Sequence, residues 1–245
     1  MSGLHALSHA QYVLINRLAT PLGAFIILII IGRHSDQLLG EYALVMTFYY
    51  IMQMLPLLGL TSYVMREVAR RPEQAGRYFA TIGFMSLIGC AVVDLICYAF
   101  LHFADYPATV KQALGVTGIL IFPGILLFIA EIIFMSLHRT RPAAMVALVE
   151  NAIRVLLSVA ALSLGGELTS LIGVFLATRL GALAAYLRLM KRDGILAGIG
   201  APDRALLRET WRVLPGFLIG TVLFVIFSRL DFVVLSFFEQ VEMIG

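Results

Sequence analysis

Long apolar runs fill most of the chain and leave few choices of fold. An α-helix needs about 20 mostly apolar residues to cross a bilayer, and we find seven runs of about that length. The composition agrees, because 60% of the residues are hydrophobic and 13% are charged, whereas soluble domains have about 45–50% apolar and about 25% charged residues. The sequence therefore predicts an all-α, multi-pass membrane protein.

The predicted spans, numbered in chain order, alternate with loops of different length. They are Tyr12–Ile31, Glu41–Leu60, Phe79–Leu101, Ala113–Leu137, Ala143–Leu164, Leu168–Met190 and Val213–Phe237. Residues 138–142 join spans four and five, and residues 165–167 join spans five and six. Such short links predict that the helices they join are antiparallel neighbours.

The lysines and arginines between the spans predict the orientation of the chain. The loops after spans two, four and six carry most of them, namely Arg66, Arg70, Arg71, Arg77, Arg139, Arg141, Arg188, Lys191, Arg192, Arg204, Arg208 and Arg212. The loops after spans one and three carry only Arg33 and Lys111. The positive-inside rule therefore predicts a cytoplasmic N-terminus, and we expect the protein in the cytoplasmic membrane.

Two of the predicted cytoplasmic loops are basic and amphipathic. They are Ser62–Tyr78 and Ala201–Arg212. We expect short helices on the inner membrane surface, with Trp211 at the interface. A solvated loop explains the charges equally well, and a specific lipid-binding role is a third interpretation.

Ionisable side chains lie inside the predicted spans, where each costs about 2.5–3.5 kcal/mol at a helix centre. We single out Arg17, Asp94, Glu131, Glu150, Arg154, Arg179, Arg229 and Asp231. Because such residues face a bundle interior or a watery cavity, they are our candidates for function. Positive and negative groups in this set are equal in number, so the set predicts a balanced cavity rather than a cationic one.

The spacing of these residues distinguishes their roles. Glu150 and Arg154 are four residues apart and are expected to pair on one helix face. Arg229 and Asp231 project about 200° apart on a helix, so each needs a partner on another helix or in cavity water. Arg179 is expected at the same depth as Arg154, and two guanidiniums there suit an anionic group such as a phosphate.

We therefore assign two sets of candidate site residues. The substrate-binding cations are Arg154, Arg179, Arg229 and Arg17, although Arg17 is equally explained by snorkelling to the headgroups. The coupling or structural acids are Asp94, Glu131, Glu150 and Asp231. For Asp94 and Glu131, structural hydrogen bonding between helices is the alternative to proton or cation coupling.

Motifs of enzymes and cofactor-binding proteins are missing from the sequence. It has no glycine-lysine loop for phosphates, no His-Glu-x-x-His motif and no cysteine pair with metal-ligand spacing. We expect no catalytic residues, no metal and no cofactor, and no nucleic-acid partner.

Span seven repeats features of span one. With the two spans aligned, Gly40 falls on Gly245 and Leu38–Leu39 fall on Met243–Ile244. A repeat after an even number of spans keeps its orientation, as in transporters built from two parallel bundles.

The chain resembles the N-terminal part of an oligosaccharide or polysaccharide flippase of the multidrug/oligosaccharidyl-lipid/polysaccharide (MOP) superfamily. The residues that carry this resemblance are Asn16–Arg17, Leu39–Gly40–Glu41–Tyr42–Ala43, Arg229–Leu230–Asp231 and Met243–Ile244–Gly245. The resemblance implies a MATE-like lobe of six transmembrane helices over residues 1–192. It also implies a cytoplasmic linker over 193–212 and the first helix of a second, truncated lobe over 213–245.

The function implied by the resemblance is the flipping of a polyprenyl-diphosphate-linked oligosaccharide by alternating access, for surface polysaccharide biosynthesis. The expected partners are membrane lipids, this lipid-linked substrate and a coupling ion, H⁺ or Na⁺. The alternative is a MATE-type proton- or sodium-coupled drug or cation antiporter. An enzyme acting on the same lipid carrier is disfavoured because the loops are short, and a non-transporting truncated scaffold is a further alternative.

Overall fold

The helices follow the order of the apolar runs. The computed structural model describes residues 3–57 and 60–216, with residues 219 and 223 beyond them. The main helices are α1 (Gly3–Gly32), α2 (Asp36–Met54), α3 (Thr61–Arg70), α4 (Ala75–Phe103), α5 (Ala108–Ser136), α6 (Thr140–Ser163) and α7 (Leu168–Arg192). Residues 204–216 are also helical, and we name this segment α8.

Five of the described helical segments are long and apolar enough to cross a membrane. They contain α2, α4, α5, α6 and α7, so predicted spans two to six are confirmed as helices of sufficient length. In α1 the apolar part is the shorter stretch Leu18–Gly32, and span one stays a prediction. Most of span seven, with Arg229 and Asp231, lies outside the described residues.

The helices form one bundle around α5. Helix α1 packs along α6, α6 lies beside α7, and α7 lies beside α5. Helix α5 also contacts α2, α3 and α4. The link between α6 and α7 depends on Gly165, whose φ of 78° is a left-handed conformation that glycine adopts without strain.

The outer surface of the bundle is apolar, as expected where helices face lipid. Helix α4 is the clearest case, with exposed Ile88, Leu95, Ile96 and Tyr98. On its inner side, Gly89 lets the backbone of Pro56 approach, because a Cβ atom at Gly89 would lie 3.1 Å from the Pro56 Cα.

The two basic, amphipathic loops predicted from the sequence are largely helical. The first forms α3 and the start of α4, with a break at residues 71–74, and the second forms α8. In α3, Tyr63 and Val68 are buried, and Arg66 and Arg70 are exposed. The chain then turns at Pro72–Gln74 and enters α4 at Ala75. Helix α4 therefore starts before Phe79, the predicted start of span three. Tyr78 and Phe79, near this end of the helix, are buried in the bundle.

Candidate functional site

A buried ionic cluster joins α6 to α7. Glu150 of α6 contacts two arginines: its Oε1 lies 3.8 Å from Nη1 of Arg154 and 3.3 Å from Nε of Arg179. Nη1 of Arg179 donates to Oε2 of Glu150 at 3.5 Å. The exposed side-chain fraction is 5% for Glu150, 5% for Arg154 and 10% for Arg179. The predicted pairing of Glu150 with Arg154 is confirmed, and Arg179 shares the same carboxylate.

Phe175 holds the two arginines on its ring. The guanidinium carbon of Arg154 lies 4.7 Å from the ring centroid, and that of Arg179 lies 5.1 Å from it. Both distances fall within the range of cation–π contacts, which is about 6 Å. Tyr49 of α2 meets the same ring edge-on at 5.0 Å between centroids. The ring thus brings the two guanidiniums together.

Asn151 connects this cluster to α1. Its Oδ1 accepts a hydrogen bond from Nη2 of Arg154, while its Nδ2 donates to Oγ1 of Thr20 at 3.4 Å and to the carbonyl of Ala147 at 2.7 Å. A Cβ atom at Gly23 would lie 2.7 Å from Oδ1 of Asn151. The glycine therefore allows α1 to pack closely over the polar face of α6.

The three ionic residues of the cluster are two arginines and one glutamate, and a further acid, Glu131, lines the adjoining cavity with Arg179. Two guanidiniums share the Glu150 carboxylate, and Nε of Arg154 and Nε of Arg179 are buried without a well-aligned hydrogen bond to any described residue. Buried ionic groups are stable only where ion pairs and hydrogen bonds offset the loss of water. The cluster therefore retains donors for a further anionic or polar group.

A cavity of about 470 Å³ adjoins the cluster. Helices α1, α2, α5 and α7 contribute to its wall, and the volume is within the usual range for small-molecule sites. Its polar lining residues are Thr20, Tyr50, Gln53, Glu131 and Arg179. Arg179 thus belongs both to the buried cluster and to the cavity wall, where it faces the same space as Glu131.

A groove of about 470 Å³ lies between α6 and α7. Its lining is mostly apolar and includes Val149, Ile153, Gly181 and Ala185, with Glu150 as the charged member. Arg179 lines the cavity and Glu150 lines the groove, so the two partners of one ion pair face different spaces.

A family model described as "polysaccharide biosynthesis protein" matches residues 6–245. The chain belongs to this family. No curated protein sequence gives a significant match.

The same architecture occurs in a solved MOP superfamily transporter from Pyrococcus furiosus, with a TM-score of 0.68 and 15% sequence identity. The match covers 86% of this chain and 51% of that one, so the family member described here spans about half the length of that transporter. At this identity the comparison establishes the fold. The fold prediction, a MATE-like helical lobe, is confirmed.

Asp94 lies apart from the buried cluster of this family member. It is half-buried on α4 and packs against Gly118 of α5, where a Cβ atom would overlap its carboxylate. Glu131 lies about 20 Å further along α5 at 1.5 Å per residue, so the two acids are far apart. Arg17 belongs to α1, but its side chain lies outside those described, as do Arg229 and Asp231.

Several residues of the site were absent from the sequence prediction. They are Thr20, Tyr49, Asn151 and Phe175. Asn151 can be predicted from the sequence, because an amide side chain inside a span needs hydrogen-bond partners. Tyr49 and Phe175 gave no such signal, because aromatic residues are common in apolar spans. Among the described residues, no three His, Cys, Asp or Glu side chains come together as a metal site requires.

Proposed function

We propose that this protein flips a polyprenyl-diphosphate-linked oligosaccharide across the cytoplasmic membrane by alternating access. The observation that carries the proposal is the pair of buried arginines, Arg154 and Arg179, that share one carboxylate beside a cavity. Membership of the polysaccharide biosynthesis family also supports this proposed function.

Arginine suits the chemistry of such a substrate. A guanidinium presents several N–H donors in a plane and binds two phosphate oxygens at once. In a low-dielectric interior this attraction is stronger than in water. A diphosphate that reaches Arg179 from the cavity would compete with Glu150 for that guanidinium, so binding and release would exchange one carboxylate for one phosphate.

The domain arrangement extends this proposal. Residues 1–192 form the first six-helix lobe, residues 193–212 a cytoplasmic linker, and residues 213–245 the start of a second lobe. The N-terminus lies in the cytoplasm. The substrate cavity then opens alternately to the two sides as the lobes move.

A flipping assay in proteoliposomes tests the proposal. The substrate is a fluorescent polyprenyl-diphosphate oligosaccharide, and a membrane-impermeant quencher reports the fraction in the outer leaflet. We expect Arg179→Gln and Arg154→Gln to slow flipping at least about tenfold, since a charge-assisted hydrogen bond contributes about 1.5–3 kcal/mol. Arg179→Lys keeps the charge but loses the bidentate geometry, so it should also be slow.

The matched control is Arg188→Gln, which removes an arginine from the exposed end of α7. The control should flip at the rate of the unmodified protein. Rates unchanged in both Arg154→Gln and Arg179→Gln, with normal protein levels, would overturn the assignment of these residues.

One observation favours the alternative, a proton- or sodium-coupled antiporter. The carboxylate of Glu131 lines the cavity together with Arg179, and carboxylates inside a membrane mark ion pathways. Efflux of a cationic dye that depends on a proton or sodium gradient and is lost in Glu131→Gln would support this function. Flipping without such efflux would exclude it.

A further inference from the structure

Helix α8 presents two contrasting faces. Leu206, Thr210 and Leu214 are buried against the bundle. The opposite face exposes a basic stripe, which we define as Arg204, Arg208, Trp211 and Arg212. On a helix of 3.6 residues per turn these four positions lie within about 100° of arc. The stripe is therefore one continuous surface.

The two acidic residues near the stripe, Asp203 and Glu209, bond to residues of the bundle, although Glu209 stays exposed. Asp203 forms an ion pair with Arg77 of α4 and accepts hydrogen bonds from the backbone N–H groups of Ala205 and Leu206 at 2.8 and 3.0 Å. Glu209 accepts a hydrogen bond from the hydroxyl of Tyr63 in α3 at 3.0 Å. Both acids therefore serve to hold α8 in place.

The three arginines of the stripe keep their charge unneutralised. No Asp or Glu in the part of the chain that the structure describes lies within ion-pair distance of Arg204, Arg208 or Arg212. They stand four residues apart, a spacing at which like charges repel along a helix. An external anion would relieve this repulsion.

The stripe also carries the chain's one tryptophan. Trp211 is 63% exposed, although it is large and mostly apolar. Exposed indole rings beside arginines are typical of the membrane–water interface, where the ring meets the acyl boundary and the charges meet phosphates. Helix α8 is also tied to α4, which is itself long and apolar enough to span the membrane.

We propose that the basic stripe of α8 binds the anionic headgroups of phospholipids in the adjacent leaflet. Three unneutralised arginines and one exposed indole fit a negatively charged lipid surface in both charge and polarity. Each arginine near such a surface adds to the attraction. The bound lipids would hold α8, and with it the linker that follows the first lobe, at a fixed height in the membrane. This inference is independent of the proposed substrate.

The fluorescence of Trp211 gives a direct test. The 245-residue chain is placed in nanodiscs that contain phosphatidylcholine and phosphatidylglycerol, with a spin label on one lipid or the other at equal mole fraction. We expect labelled phosphatidylglycerol to quench Trp211 at least about twice as strongly as labelled phosphatidylcholine, because the arginines enrich anionic lipid nearby. The difference should vanish at about 1 M salt, where the Debye length is about 3 Å.

Two triple variants, each of which removes three positive charges, distinguish lipid binding by the stripe from a general attraction by the other basic residues nearby. In Arg204→Gln/Arg208→Gln/Arg212→Gln, the two labelled lipids should quench equally. The matched control, Arg188→Gln/Lys191→Gln/Arg192→Gln, changes three exposed charges at the end of α7 and should keep the preference. Circular dichroism melting checks that both fold.

Equal quenching by the two lipids in the unmodified chain would overturn the proposal, whatever the variants do. A control variant that loses the preference to the same degree as the α8 variant would also overturn it, since the attraction would then come from net charge alone.

Discussion

Glu150 and Arg179 form an ion pair across two helices, with Oε1 and Nε 3.3 Å apart, and each partner faces a different space. Glu150 lines the groove between α6 and α7, and Arg179 lines the cavity beside the cluster. The pair therefore links the wall of the groove to the wall of the cavity. The strength of this ion pair contributes to the stability of the bundle and sets how readily another anion can reach Arg179.

Glu150→Gln is predicted to destabilise the protein strongly. The change leaves Arg154 and Arg179 buried without the carboxylate they share, and removal of one partner from a buried ion pair costs about 3–5 kcal/mol. The free energy of unfolding in detergent, followed by circular dichroism, measures the effect. Glu73→Gln is the control, because Glu73 is exposed and should be within about 0.5 kcal/mol of the unmodified protein. A small effect in Glu150→Gln would mean that the arginines find other anions.

Phe175→Leu is predicted to weaken the hold on both arginines. Each cation–π contact contributes about 0.5–2 kcal/mol, and leucine has no π face to replace it. Phe134→Leu is the matched control, since Phe134 is also buried but packs against Tyr186 rather than an arginine. The measurement is a double-mutant cycle with Arg154→Gln. A coupling energy near zero between Phe175 and Arg154 would contradict the prediction.

The sequence predicted the bundle better than its interior. Apolar runs of sufficient length specify helices, and the spacing of Glu150 and Arg154 specifies their pairing within one turn. The contact of Glu150 with Arg179 depends on how α6 and α7 are rotated against each other, which hydropathy does not determine. Asp94 shows the same limit. An acid inside an apolar run predicts a coupling or pairing role, but hydropathy does not determine that its side chain packs on Gly118 of α5.

Gly118→Ala is predicted to destabilise the contact between α4 and α5. The added methyl group would overlap the carboxylate of Asp94, and overpacking of this kind costs about 1–3 kcal/mol. Gly115→Ala is the control on the same helix, because a Cβ atom there meets nothing within 4 Å. That variant should be neutral or gain up to about 1 kcal/mol from helix propensity. In an Asp94→Ala background the cost of Gly118→Ala should largely disappear, and a cost that persists would show that another contact is responsible.

The docking of α8 is predicted to resist mild acid. Backbone hydrogen bonds from Leu206 and Ala205, together with the charge of Arg77, lower the pKa of Asp203 below its ordinary value of 3.8. A lowered pKa in the folded state means that the stabilisation is complete above pH 3.8 and is lost as the pH falls through the folded value. The difference in Trp211 emission between the unmodified chain and Asp203→Asn should therefore stay constant down to about pH 4 and shrink only below it. Asp203→Asn keeps a good N-cap but loses the ion pair, so it should dock more weakly at neutral pH, and Asp203→Ala should dock more weakly still. A transition between about pH 5 and 7 in the unmodified chain would assign the docking to another group.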